Sequence, residues 1–463
     1  MANCNYSSLP VYAKADVVVC GGGTAGAFAA IAAAREGADV LLIEQFGGLG
    51  GTATNGLVTP VMRPHTPGEK LCSYLSEELT VRLVAENACT EDGRQFDPMM
   101  LKIELEQMCV EAGVRLLYHT FIPDVVVENG GISAVVIANK AGLSLVEGKV
   151  FIDCTGDGDI SVRAGAEYNK GNPDTGVNQP MSLRYIIDGV DVEEWGKFFE
   201  ELKQKTGVNS AASAWGHGSY VYAHCCRGND VTLTPIFNEA VENGDLSEED
   251  HLYWQAFSMP GRLGSVAFNC PEFFVHIDGT NPEDLTIAQV EGKKRVVRQL
   301  AFYKKYMRGF ENAYIAEIAV MVGVRESREI VTDYVMKAED LLNKQKFSDG
   351  ICQSNYPIDI HGKVLINDYN NLHPDDQRPW YDIPFRSLLV KGISNLFVAG
   401  RCLGAEFLVE SSMRVQHSCR SSGEAAGIGA ALAVKRGTPI RSIGGEEVRG
   451  IMISKGAKFV EEA

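Results

Sequence analysis

Gly21-Gly22-Gly23-Thr24-Ala25-Gly26 has the spacing G-x-G-x-x-G, a pattern suited to holding phosphate. Gly21 permits a tight turn out of a strand, Gly23 leaves the backbone bare to a pyrophosphate, and Gly26 lets a helix close on a sheet. Thr24 and Ala25 open that helix, whose free N–H groups and positive dipole end would face the phosphates. Glu44 stands 18 residues after Gly26, where a carboxylate binds ribose hydroxyls and repels a 2′-phosphate. A second set of groups, Glu406, Glu410, Arg414 and His417, lies between Gly400 and Gly423. His361 stands apart, in Ile358-Asp359-Ile360-His361-Gly362. Arginine, carboxylate and imidazole are the types that bind an oxyanion and move a proton.

The elements that must position these groups follow from local pattern. Residues 16–20 (DVVVC) read as a buried strand, Ala25 to Arg35 as an alanine-rich helix closed by Gly37, and Asp39–Ile43 as a second buried strand. This βαβ unit gives parallel strands and supports dinucleotide binding. Three features favour FAD over NAD. Gly47-Gly48-Leu49-Gly50-Gly51-Thr52 offers a second N–H-rich loop directly after Glu44. A strand at Val150–Asp153 runs into another glycine turn, Cys154-Thr155-Gly156-Asp157-Gly158-Asp159. A strand at Asn395–Ala399, then Gly400, then a small-residue helix over Gly423–Val434 brings the chain back to the same domain.

Between these segments the pattern predicts an amphipathic helix over 98–112 and an antiparallel meander over VRLLYHTFI, DVVVEN, ISAVVIAN, LSLVEG and KVFIDC. Residues 171–350 mix polar loops, three of the four tryptophans and expected helices at 283–309 and 311–345. The expected organisation is a FAD-binding domain in two parts, 1–170 and 351–463, interrupted by an inserted substrate domain at 171–350. The fold class is α/β: a Rossmann-like domain with a parallel sheet and β-meander, plus an α+β insertion.

Composition bounds the reading. Across 463 residues, 45% are hydrophobic and 22% charged, which excludes a mainly disordered or collagen-like chain. A net charge of −17 disfavours nucleic acid and anionic membranes as partners. No apolar run approaches 18 residues, so no membrane span is expected. The twelve cysteines have no C-x-x-C pair and read as reduced, mostly buried thiols of a reducing compartment, the cytoplasm. His224-Cys225-Cys226 resembles half a metal site without a second half, so no metal is expected, and a disulfide between Cys402 and Cys419 is disfavoured.

The ordered motifs VVVCGGGTAGAFAA, FGGLGGTATNG, VFIDCTGDGD, GVRESREI, YPIDIHG and NLFVAGRCLGAEFLVESSMRVQHSCRSSGEAAG resemble the FAD-dependent oxidoreductase family of the glutathione-reductase-like flavoprotein superfamily. Flavoprotein subunits of succinate dehydrogenase and fumarate reductase are more distant relatives. The resemblance covers residues 15–437. It implies that Gly21, Gly23 and Gly26 hold the pyrophosphate of a non-covalent FAD and Glu44 its adenosine ribose. Gly50, Gly51 and Thr52 would follow the flavin side, and Ile122 would meet adenine through its backbone. Thr155, Gly156 and Asp157 match a cofactor turn. Gly400 and Arg401 would approach the ribityl chain or phosphate. The helix opening at Gly423, with Ala426, would aim N–H groups at the flavin pyrimidine. Arg401 departs from the acidic residue common in the wider superfamily.

The reading of the reaction is hydride transfer between flavin and a small organic substrate, in either direction. An oxidase or monooxygenase using O₂, and a non-catalytic flavin subunit of an electron-transfer complex, stay open, as do a redox partner protein and a homo-oligomer. Arg414 either binds a substrate carboxylate or carbonyl oxygen and helps proton transfer, or pairs with Glu410 at i, i+4 spacing. His417 is either an acid/base or a satisfied histidine, and His361 either catalytic or a loop anchor. The run Arg325-Glu326-Ser327-Arg328-Glu329 reads as a tie for the insertion.

Overall fold

β-branched and aliphatic runs fall where the local pattern puts strands, and one sheet collects them. The computed structural model describes residues 6, 8–62, 64–206, 213–215, 220–226, 233–274, 277–361 and 380–460, with the backbone alone at 206, 213–215 and 220–226. Strand β1 (Val11–Cys20) leads through the glycine turn into helix α1 (Thr24–Arg35) and strand β2 (Val40–Ile43). Helices α2 (Tyr74–Ala85) and α3 (Pro98–Glu111) follow. Strands β3 (Arg115–Leu117), β4 (Phe121–Glu128), β5 (Gly131–Asn139) and β6 (Gly142–Asp153) complete the first part, and the sheet order is β3-β2-β1-β6-β5-β4. The strand Leu396–Val398 returns to pair in parallel with the end of β6, through Leu396 opposite Phe151.

Two details differ from the sequence pattern. The run VRLLYHTFI is two strands: β3 extends the parallel sheet beside β2, and β4 begins only after His119, whose backbone is left-handed at φ 51°. LSLVEG and KVFIDC are one strand, because β6 pairs with β5 along its first half and with the returning strand along its second.

The second sheet is antiparallel, in the order Ser213–Trp215, Tyr220–Cys226, Tyr253–Ser258, Val266–Phe268, Tyr185–Asp188 and Tyr314–Ile318. Its own core is aromatic: Trp254 and Phe268 pack on Tyr303 of the Pro282–Tyr306 helix, and Trp195 is buried in the same cluster. The helix expected over 311–345 is absent. Tyr314–Ile318 pairs with Tyr185–Asp188, Arg328–Ile330 pairs with Tyr168–Lys170, and only Ala338–Leu342 is helical. Alternating β-branched and aromatic residues there complete a sheet edge, and sheet packing outweighs local helix preference. Core residues of this second layer run from Tyr185 to Ala313, whereas Ile330, Met336 and Leu341 pack in the first core.

The late helix also differs: it spans Gln416–Arg436 and opens seven residues before Gly423. Among the described residues no helix is long and apolar enough to cross a membrane.

Candidate active site

The turn from β1 into α1 is built by contact. Gly21 has φ +94°, and a Cβ on Gly26 would stand 1.9 Å from the Gly21 carbonyl oxygen, so the helix can start this close only with glycine there. Gly23 is the N-cap of α1 and no side chain caps it. The free N–H groups of the first turn therefore have no partner from a capping side chain. Gly50 lies behind the turn, its N–H donating to the Gly22 carbonyl at 2.9 Å.

Glu44 ends β2 as expected. Its Oε2 accepts from the Gly22 N–H at 2.7 Å and its Oε1 from the Phe46 N–H at 2.8 Å. Burial pushes this carboxyl up, while those donors oppose the shift. The turn after β6 is tied from beneath: Asp153 accepts from the Thr155 hydroxyl at 2.7 Å and from the Ser161 hydroxyl at 2.8 Å. Arg401 then locks that turn, donating from Nε to the Gly156 carbonyl at 2.8 Å and from Nη2 to Asp157 at 2.6 Å. Its charged partner is thus a protein carboxylate.

One cavity of about 710 Å³ collects these segments. Its lining includes Gly21, Gly23, Thr24, Ala25, Glu44, Gly51, Thr52, Ile122, Thr155, Gly156, Asp157, Gly400 and Arg401. Gly26 and Gly50 support the turn from behind and do not line it. Gly423 and Ala426 do not line it either. A Cβ on Gly423 would stand 2.1 Å from the Ala25 carbonyl oxygen, so this glycine lets two helices pack, and Ala426 is buried beside it. The part of that helix facing the cavity is its true start, Val415, Gln416 and Cys419, again with no side-chain cap. Two uncapped helix starts, a bare glycine turn and a strand-end carboxylate around one cavity fit a flavin dinucleotide.

The same cavity continues to residues of the second sheet and of the loop before His361. His361 stands between two carboxylates, Nδ1 at 2.9 Å from Glu272 Oε1 and Nε2 at 3.4 Å from Asp359. Arg325 pairs with Glu272 and donates to the Pro180 carbonyl at 2.7 Å. Arg414 donates from Nη2 to the Asp359 backbone carbonyl at 2.9 Å and to its carboxylate at 3.2 Å. The Arg414–Glu410 ion pair is therefore replaced by Arg414–Asp359. Burial opposes the charges of Asp359 and Glu272, but the surrounding cations win and hold both carboxyls below their usual range. Burial and Arg325 disfavour a charged His361, yet Glu272 and Asp359 outweigh them and its pKa is raised.

Arg414 and His361 line the cavity, and His417 does not. The His417 ring faces inward, with Nε2 at 3.5 Å from Cys352 Sγ and 3.3 Å from the Gln353 carbonyl oxygen. With Cys72 it forms a buried group whose ligand atoms lie within 4.8 Å of one another, a spacing that suits a metal ion. Chain distance hid this group, which no C-x-x-C spacing announces. The His224-Cys225-Cys226 side chains lie outside the described residues. Cys402 and Cys419 are both buried free thiols. Of the run 325–329, Arg325 reaches the cavity, while Ser327 and Arg328 bind Asp157 and Asp159. Sequence reasoning missed Arg184 and Glu272, which carry no motif.

Comparison with known proteins gives relatives of two kinds. Thiamine thiazole synthase from Aeropyrum pernix is 31% identical over 142 residues, covering 28% of this chain and 47% of that protein. Digeranylgeranylglycerophospholipid reductase 2 from Methanothermobacter thermautotrophicus is 30% identical over 195 residues, covering 39% and 48%. The chain thus spans about half the length of these curated relatives. Among solved structures, p-nitrophenol 4-monooxygenase from Pseudomonas putida is 11% identical with TM-score 0.46, covering 96% of this chain and 87% of that one. L-proline dehydrogenase from P. horikoshii is 12% identical with TM-score 0.42, covering 95% and 98%. The family model described as FAD dependent oxidoreductase matches residues 16–452, nearly the whole length, and the chain belongs to that family.

Proposed function

We propose that this enzyme transfers a hydride between FAD and a small organic substrate bound against the charged end of the cavity. FAD is the cofactor, and when bound it supplies the two-electron chemistry. The observation that carries the reading is the continuity of one cavity from the glycine turn to Arg325, Arg414 and His361. The segment 171–350 acts as the substrate-covering insertion, because it brings Arg325 and Glu272 to that end. Arg414 orients an electronegative group of the substrate. His361, held between Glu272 and Asp359, holds or gives the proton that must accompany hydride movement. The nine cysteines with described side chains are buried free thiols, which supports a reducing compartment, the cytoplasm.

The test is anaerobic mixing of the yellow holoenzyme with pools of small metabolites, and of the reduced holoenzyme with candidate acceptors. Bleaching by one donor, or recolouring by one acceptor, in stoichiometric amount supports the reading. If neither half-reaction proceeds with any organic compound while a redox protein exchanges electrons readily, hydride transfer to a small substrate is refuted.

A further inference from the structure

Arg184 precedes the strand Tyr185–Asp188, and its carbonyl accepts from the Ala319 N–H at 2.9 Å, which fixes its backbone in the second sheet. Its side chain is buried, it lines the cavity, and its Nε has no hydrogen-bond partner. Among the described residues it makes no ion pair. A buried guanidinium without a counter-charge is costly, and proteins normally pair it.

The neighbouring carboxylates are already committed. Glu272 is shared by Arg325 and His361, and Asp359 by His361 and Arg414. Three arginines against two carboxylates leave one positive charge before His361 is counted, and a protonated His361 leaves two. Burial and the nearby Arg325 pull the Arg184 pKa down to about 9, as expected where positive charge is in excess.

We propose that Arg184, backed by Arg325, is the anion subsite of this cavity and that the substrate is an organic carboxylate. The inference rests on the proposed function, in which a small substrate occupies this end. A carboxylate suits the position for two reasons. A guanidinium offers it two parallel N–H donors, and its negative charge reduces the excess without unpairing Glu272 or Asp359.

The experiment is a titration of the oxidised holoenzyme, read as perturbation of the visible flavin band, and it needs no turnover. The probes are acetate, succinate and benzoate, their neutral twins acetamide, succinamide and benzamide, and inorganic phosphate. At least one acid is expected to bind while its amide does not, and Arg184→Met is expected to weaken that acid about 30-fold or more at unchanged FAD content. Arg184→Lys keeps the charge and should recover part of the affinity. Equal affinity in Arg184→Met, equal binding of acids and amides, or binding of phosphate alone would overturn the proposal. Loss of FAD from Arg184→Met at intact fold would also overturn it, by assigning the arginine to the cofactor. If Arg184→Met does not fold, the acid–amide comparison in the unsubstituted holoenzyme decides. Acid-selective binding with no organic donor bleaching the flavin and no organic acceptor recolouring it would support the subsite and refute hydride transfer to a small substrate. Bleaching by a neutral donor with no acid binding would do the reverse.

Discussion

Arg414 holds Asp359 through one guanidinium nitrogen, Nη2, and its Nε is buried without a partner. A lysine there keeps the charge but loses the planar fork. Arg414→Lys is therefore expected to leave FAD content unchanged and to slow the substrate half-reaction about 10- to 100-fold in stopped-flow traces. Unchanged half-reaction rates would remove Arg414 from the chemistry. His361 gives a second test. Its raised pKa depends on Glu272 and Asp359, which outweigh burial and Arg325. Asp359→Asn removes one of the two carboxylate charges but keeps the backbone carbonyl that Arg414 also binds. The His361 titration should then move to lower pH, and the corresponding limb of the pH–rate profile should move with it. A limb that stays in place would assign that ionisation to another group.

At the scale of elements, the crossing of α1 with the Gln416–Arg436 helix brings the early turn and the late segment together. Cβ atoms on Gly423 and Gly427 would stand 2.1 and 2.2 Å from the carbonyl oxygens of Ala25 and Ala29. Gly423→Ala should therefore lower stability by about 1–3 kcal/mol and loosen FAD, since it pushes on Ala25 in the first turn of α1. Gly450 is the control: it sits exposed within the Gly445–Ser454 helix with nothing within 4 Å of a Cβ, so Gly450→Ala should stabilise by about 0.5–1 kcal/mol. Thermal unfolding of both variants checks the pair, and a shift of the same sign in both would refute the packing account. What was legible in sequence follows the same division. The turn Gly21–Gly26 and the strand-end Glu44 were readable because each is set by neighbours within one βαβ unit. The true start of the late helix was not, because Ser418, Ser421 and Ser422 are poor helix signals and owe their helical state to burial between sheet and α1. The grouping of Glu272, Asp359 and Arg184 was not either, because the three come from separate segments that the fold alone brings together. The strand at Tyr314–Ile318 escaped for a related reason, since its partner lies more than a hundred residues earlier.

The whole molecule combines a charge of −17 with several carboxyls buried in its interior. Glu424, on the Gln416–Arg436 helix, accepts from the Ser73 hydroxyl at 2.6 Å and from the Leu75 N–H at 3.1 Å, and so ties that helix to the start of α2. Burial nevertheless dominates and pushes its pKa up to about 8, against a usual value of 4.5. Glu329 is pushed up to about 10 by burial and by Glu326 and Glu410, and Asp153 and Glu44 are raised by burial. A carboxyl raised in the folded state keeps a proton that the unfolded chain has released. Its stabilisation is complete below the unfolded pKa and is lost as pH rises through the folded one. Asp359 and Glu272 are lowered instead, so their contribution is lost only in the acid range, below the usual carboxylate pKa. Between about pH 5 and 8 the raised carboxyls govern the slope, and each that stays protonated in the fold costs at most about 1.4 kcal/mol for every pH step of one. The melting temperature should therefore fall as pH rises across that window. Glu424→Gln, which cannot release a proton, should lower stability at pH 5 yet show a flatter decline up to pH 8. Differential scanning fluorimetry across that range, at fixed ionic strength and FAD excess, reads both slopes. A melting temperature that climbs from pH 5 to 8 would refute the dominance of the raised carboxyls, and an equal slope in the variant would show that Glu424 is ionised in its buried site and that its three hydrogen-bond donors outweigh the cost of burying its charge.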